Sequence, residues 1–123
     1  MKKAILLISH GSYSPAAKRE VLQLKYRLKK QSGFSIFECA FLEVNHPTIP
    51  AGIKRCIKKG ATQIIVLLNF LNTGNHVRRD IPHHIKEAKS KFPYVQFRLT
   101  PPIGLHTEIS HLFLDTIHKY KRF

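Results

Sequence analysis

The sequence is short of acidic residues, of cysteine and of long apolar runs, and each shortage excludes something. Seven Asp plus Glu stand against 21 Lys plus Arg, a formal net charge of +14 over 123 residues. Such a surface attracts polyanions, whether nucleic acid, anionic lipid or a small ligand rich in carboxylates or phosphates, and charge alone does not choose among them. The two cysteines, Cys39 and Cys56, form neither a metal spacing nor a Cys-x-x-Cys pair. They are read as buried reduced thiols, one in a strand and one in a helix. No apolar stretch approaches the roughly 18 residues that span a bilayer, so no membrane partner is expected. Met-Lys-Lys followed by Ala4 to Ile8 imitates a signal peptide, but the apolar run stops at Ser9, His10 and Gly11 with no small-residue cleavage site behind it. It reads instead as the first strand of a cytoplasmic protein. There is no internal repeat and no low-complexity tract.

Hydrophobic residues make up 43% of the chain, too many for disorder and enough for one domain over residues 1–123. Four apolar blocks read as strands: Ala4 to Ile8, Phe34 to Leu42, Gln63 to Leu68 and Tyr94 to Leu99, each bounded by Gly, Pro, Ser or Asn. Helical spacing intervenes. Ala17, Val21, Leu24 and Leu28 form one stripe; Ile49, Ile53, Cys56 and Ile57 a second. Val77, Ile81, Ile85, Ala88 and Phe92 form a third, and Ile109, Leu112, Phe113 and Ile117 a last one. Ser14 before Pro15 and Thr48 mark helix starts, Gly33 and Gly60 helix stops. Strand–helix alternation of this kind predicts an α/β fold, a four-stranded parallel sheet with helices on both faces, flavodoxin-like in the order 2-1-3-4.

Ligands of such sheets bind beyond the carboxyl ends of the strands, so four loops matter. They run from Ser9 to Pro15, from Glu43 to Pro47, from Asn69 to Arg79 and from Pro101 to His106. His10, Glu43 and His76 then stand at the ends of three adjacent strands. Two imidazoles and a carboxylate suit a divalent transition metal, and equally serve as proton acceptors near neutral pH. His76 lies just before or within the first turn of the third helix, where the macrodipole disfavours imidazolium. His83 and His84 are adjacent, cannot share one helix face, and read as a solvated surface. His46, His106, His111 and His118 are assigned no role, and Asp80 reads as a first-turn residue favoured by the dipole. Lys25, Arg27, Lys29 and Lys30 read as a solvated helix face.

One glycine after the first strand is neither a dinucleotide fingerprint nor a phosphate-binding loop, and no Gly-x-Ser-x-Gly elbow exists. No recognised nucleic-acid-binding motif accompanies the charge, so no specific nucleic-acid partner is expected.

Leu-Ile-Ser-His-Gly-Ser at 7–12, Phe-Leu-Glu at 41–43 with Pro47 beyond, and Phe-Leu at 70–71 resemble one family across the whole chain. Gly-Asn-His-Val-Arg-Arg-Asp-Ile-Pro at 74–82 is the most specific piece, followed by Pro-Ile-Gly-Leu-His at 102–106. The family is the small class II tetrapyrrole chelatases of the CbiX/SirB type, which act on sirohydrochlorin. The resemblance implies that His10, His76 and Glu43 form a metal-insertion site. It implies a divalent ion (cobalt, iron or nickel) as a substrate, an anionic tetrapyrrole as the other, and no organic cofactor. The pathways implied are cobalamin or siroheme biosynthesis. Phe70, Leu71, Ile103 and Leu105 would offer an apolar wall to the macrocycle, with Arg78 and Arg79 as carboxylate partners and Ser12, Tyr13 and Gly74 nearby. The short members resemble half of their longer relatives, which implies a homodimer. Two departures stand out: Tyr13 where the family often has Arg, and Asn69 where it usually has Pro. The competing readings are a phosphohistidine carrier or phosphoryl-transfer protein using His10, and a non-catalytic metal-binding protein of chelatase fold.

Overall fold

The computed structural model describes residues 2–123, with the side chain of His76 outside that description. The elements follow as β1 (Lys3–Ser9), α1 (Pro15–Ser32), β2 (Ile36–Phe41), α2 (Ile49–Lys58), β3 (Gln63–Leu68), a π-helical turn (His76–Asp80), α3 (Ile81–Lys91), β4 (Gln96–Pro102), a 3-10 turn (Ile103–Leu105) and α4 (Ile109–Tyr120). Every strand pair is parallel and the order is β2-β1-β3-β4, as the alternating pattern predicts. The strands β2 and β4 begin two residues later than the apolar blocks suggest, at Ile36 and Gln96.

β1 sits centrally, and its run from Ala4 to Ser9 is buried throughout because both faces are covered. On one face Leu6, Ile8, Ala40, Ile64 and Val66 meet Ile49, Ile53 and Cys56 of α2 and Ile81, Ile85 and Ala88 of α3. On the other, Ile5, Leu7, Phe37, Cys39 and Phe41 meet Val21, Leu22, Leu24 and Leu28 of α1. Gly52 lets α2 close on the sheet, since a Cβ there would lie 2.9 Å from the Ala40 Cβ and 3.0 Å from Leu6 Cδ1. Both cysteines are buried and unpaired. Burial pushes the Cys56 thiol up to about 12 and raises that of Cys39 as well.

The helix ends mostly follow the sequence signals. The Thr48 hydroxyl accepts from the Ala51 N–H at 3.3 Å, and Gly33 ends α1 with φ +77°. Ser14 differs: its side chain caps nothing, and its own N–H donates to Ser12 Oγ at 3.1 Å.

The last helix departs from expectation. Leu112, Phe113 and Ile117, spaced as a core stripe, are 65%, 60% and 59% exposed, and no residue of α4 is buried. The stripe makes the helix amphipathic, but among the described residues α4 meets chiefly the short turn that precedes it. The sheet face beside α1 is packed, among the described residues, by α1 and no second helix. Among the described residues, no helix is long and apolar enough to cross a membrane.

Candidate functional site

The parallel register brings the loops to one level. Ser9 pairs with Phe41 and Ile8 with Leu68, so β1, β2 and β3 finish side by side. The ladder runs on past the strands: Leu42 N–H donates to Ser9 O at 3.0 Å, Glu43 N–H to His10 O at 3.1 Å, and Asn69 N–H to Ile8 O at 2.9 Å. His10 and Glu43 are carried on paired backbone, and their side chains meet, with Nε2 of His10 2.8 Å from Oε1 of Glu43. Both are about half exposed, so the pair opens to solvent and is accessible to a ligand.

The loops holding this pair are locked by contacts that spacing alone does not reveal. Gly11 has φ +107° and lies against the next loop, where a Cβ would fall 1.9 Å from the Glu43 carbonyl oxygen. The half-buried Asn45 accepts the Ser12 N–H on Oδ1 at 2.7 Å, and its own N–H returns to Glu43 O at 2.8 Å. That i to i+2 bond closes a γ-turn around Val44, whose φ of +70° is strained for a β-branched residue. Asn69 donates from Nδ2 to Ser9 Oγ at 3.1 Å, tying the third loop to the first. Neither Asn45 nor Val44 is among the expected site residues; an Asn two residues beyond a glutamate at a strand end is the one signal in the sequence.

The fourth loop interlocks with the third. Gly104 N–H donates to Phe70 O at 3.0 Å, and a Cβ on Gly104 would fall 1.9 Å from Leu71 O. Leu71, Ile103 and Leu105 are exposed, whereas the Phe70 side chain packs on the core. Tyr13 is 90% exposed. Arg78 and Arg79 lie exposed on the π-helical turn, with Arg78 N–H bonded to Gly74 O at 3.0 Å. Gly74 has open space about it. His76 begins that turn, and its side chain, expected at the site, lies outside the described residues.

One expectation needs correction. His83 is exposed and pairs with Glu87 at 3.0 Å, as a solvated face would. His84 is half-buried, and its Nδ1 is enclosed with no hydrogen-bond partner among the described residues. The helix turns its side chain toward α2, because α3 packs on the sheet through Ile81, Ile85 and Ala88. Asp80 closes the π-helical turn, exposed at the start of α3 without a side-chain cap bond. His106 accepts the Glu108 N–H on Nδ1 at 3.0 Å, and His111 pairs with Glu108.

An imidazole hydrogen-bonded to a carboxylate, on adjoining strand ends of a parallel α/β sheet, defines a class of site that can take up a divalent ion or accept protons. The chain belongs to the CbiX family, which it matches over residues 4–120. It is 37% identical over 109 residues to the sirohydrochlorin ferrochelatase of Bacillus subtilis, covering 89% of this chain and 42% of that protein. It is 31% identical over 121 residues to the sirohydrochlorin cobaltochelatase of Saccharolobus solfataricus, covering 94% of this chain and 93% of that one. The structure resembles the sirohydrochlorin chelatase SirB from Bacillus subtilis subspecies spizizenii in complex with cobalt, with a TM-score of 0.90 and 33% identity. That likeness covers 98% of this chain and 51% of SirB. The chain thus spans about half the length of the Bacillus relatives it matches.

Proposed function

We propose that this chain is a cytoplasmic sirohydrochlorin chelatase, inserting cobalt or iron as the divalent ion, with nickel the third ion to test, in cobalamin or siroheme biosynthesis. The observation that carries the reading is the contact of His10 Nε2 with Glu43 Oε1 at 2.8 Å on adjoining strand ends. The names of the relatives at 37% and 31% identity support it.

Insertion exchanges two pyrrole N–H protons for one dication, so charge balances when two protons leave. The ion must shed water before the macrocycle nitrogens take it. His10, Glu43 and His76 are its proposed ligands during that exchange, and Glu43 and His10, already sharing a hydrogen bond, are the proposed proton acceptors. Arg78, Arg79 and Ser12 are proposed partners for the substrate carboxylates. Leu71, Ile103 and Leu105, exposed and joined through the Gly104–Phe70 bond, are the proposed apolar floor beneath the ring, with Tyr13 and Gly74 at its margin.

The active form in this reading is a homodimer. Leu112, Phe113 and Ile117 form an apolar stripe that stays exposed among the described residues, and a helix of that kind is held by a partner surface. A monomer by sedimentation at micromolar concentration overturns the dimer.

The decisive test of the activity is an anaerobic absorbance assay with sirohydrochlorin and cobalt(II), iron(II) or nickel(II), comparing the native chain with His10→Ala and His76→Ala. Conversion above the spontaneous rate, lost in both variants, is expected. No acceleration with any ion from folded protein overturns the reading.

A further inference from the structure

Seven carboxylates in a chain of net charge +14 leave few approaches where a dication does not meet lysine or arginine. The cavities differ in this respect. Lys3 and Arg98 line one of about 670 Å³ at the far end of the sheet. Lys86 lines another, Lys54 a third, and Lys18 the recess of about 210 Å³ beside His10 on the α1 side. One recess of about 170 Å³, on the α3 side, is lined by Leu42, Glu43, Asp80, His83 and His84, and contains no Lys or Arg.

Glu43 borders that recess while its imidazole partner His10 borders the other. The pair therefore divides two approaches, and only the α3 approach is made of carboxylate and imidazole, the ligand types that divalent transition ions accept. His83 extends the line outward through Glu87 at 3.0 Å. His84 adds a second imidazole to the same lining, next to His83. Among the described residues, no three His, Cys, Asp or Glu side chains gather closely enough to hold an ion at rest. Ligands spaced in this way exchange part of the hydration shell of an ion without trapping it, which suits passage and not storage.

We propose that this recess is the port through which the divalent ion reaches Glu43, with His83 and His84 as transient ligands on the way. The proposal rests on the chelatase reading. An ion arriving from the α3 side need not cross a macrocycle seated over the strand ends, and the acidic and imidazole lining draws it through an otherwise cationic surface.

Rapid mixing of the protein with cobalt(II) alone, followed by the absorbance of the bound ion, tests the port without the tetrapyrrole. The variants are His83→Ala with His84→Gln, and separately Glu87→Lys, an exposed position where the fold is not at stake. Both are expected to slow association by about tenfold. Dissociation slows equally and the final spectrum and affinity stay unchanged, since a port changes the path and not the end state. Unchanged association in variants that bind cobalt as the native chain does overturns the port and leaves the chelatase reading standing. Weakened affinity at an unchanged association rate also overturns it, by making these residues ligands or structural props. A native chain that binds no cobalt overturns both.

Discussion

Gly11 lies against the carbonyl of Glu43 so closely that a Cβ on Gly11 would sit 1.9 Å from that oxygen. The contact joins the loop that carries His10 to the loop that carries Glu43, and it sets how near the imidazole and the carboxylate can come. Two conditions converge on glycine here, since φ is also +107°.

Gly11→Ala is therefore expected to destabilise the protein by about 2–3 kcal/mol, from backbone strain and overpacking together. The added methyl also pushes the second loop away, so cobalt affinity should fall more than stability alone explains. Urea unfolding and a cobalt titration on the same samples separate the two effects.

Asn45 makes the second clasp, taking the Ser12 N–H at 2.7 Å and returning its own N–H to Glu43 O. Asn45→Ala leaves the half-enclosed Ser12 donor unpaired and should cost about 1–2 kcal/mol. Asn45→Asp keeps an acceptor in place and should recover most of the loss. A fall in kcat in Asn45→Ala that Asn45→Asp largely avoids, with KM little changed, marks a residue that orients Glu43.

Glu38 is buried at 6% exposure and is held by Lys59 Nζ at 2.6 Å. Lys59→Ala strands that carboxylate inside the sheet. Lys59 is itself half exposed, so the expected cost is about 1–2 kcal/mol, below the range for a fully enclosed pair. Adding Glu38→Gln to Lys59→Ala should return part of the stability, which unfolding midpoints of the single and double variants will show.

Cys56 gives the protein an alkaline weakness. Its thiol is raised from an ordinary 9.0 to about 12 by burial, so above pH 9 the unfolded chain loses a proton that the folded one keeps. The unfolded state then binds fewer protons, and stability falls as pH rises. The contribution is whole below about pH 9 and declines by roughly 1.4 kcal/mol per unit between the two values. Urea midpoints from pH 8 upward should fall less steeply in Cys56→Ala, and the native thiol should resist alkylating reagents until the protein unfolds.

Much of the architecture is legible in the sequence. The spacing of Ile49, Ile53 and Cys56 marks a helix with one buried face, and the run from Ala4 to Ile8 marks a strand enclosed on both sides. Both features are local periodicities, which a parallel sheet reads in a single way. The same pattern failed at Leu112, Phe113 and Ile117. An apolar stripe states that a helix has a side to hide, but whether a surface meets it depends on the rest of the molecule, and here, among the described residues, it stays exposed. His84 shows the reverse error: an imidazole next to another on a helix looks solvated, yet α3 turns it toward α2 and encloses its Nδ1.

Element order, sheet order and the gathering of His10 and Glu43 at one end of the sheet follow from the chain's own pattern of apolar residues, because backbone hydrogen bonding and right-handed crossovers leave few alternatives. The 2.8 Å between Nε2 and Oε1, the clasp of Asn45 on Ser12 and the division of the two recesses by that pair belong to the tertiary structure. They depend on strand register and on loop backbones touching across more than thirty residues of sequence. No local pattern of residue types encodes a separation of that kind, since it is set only when both loops are packed against each other.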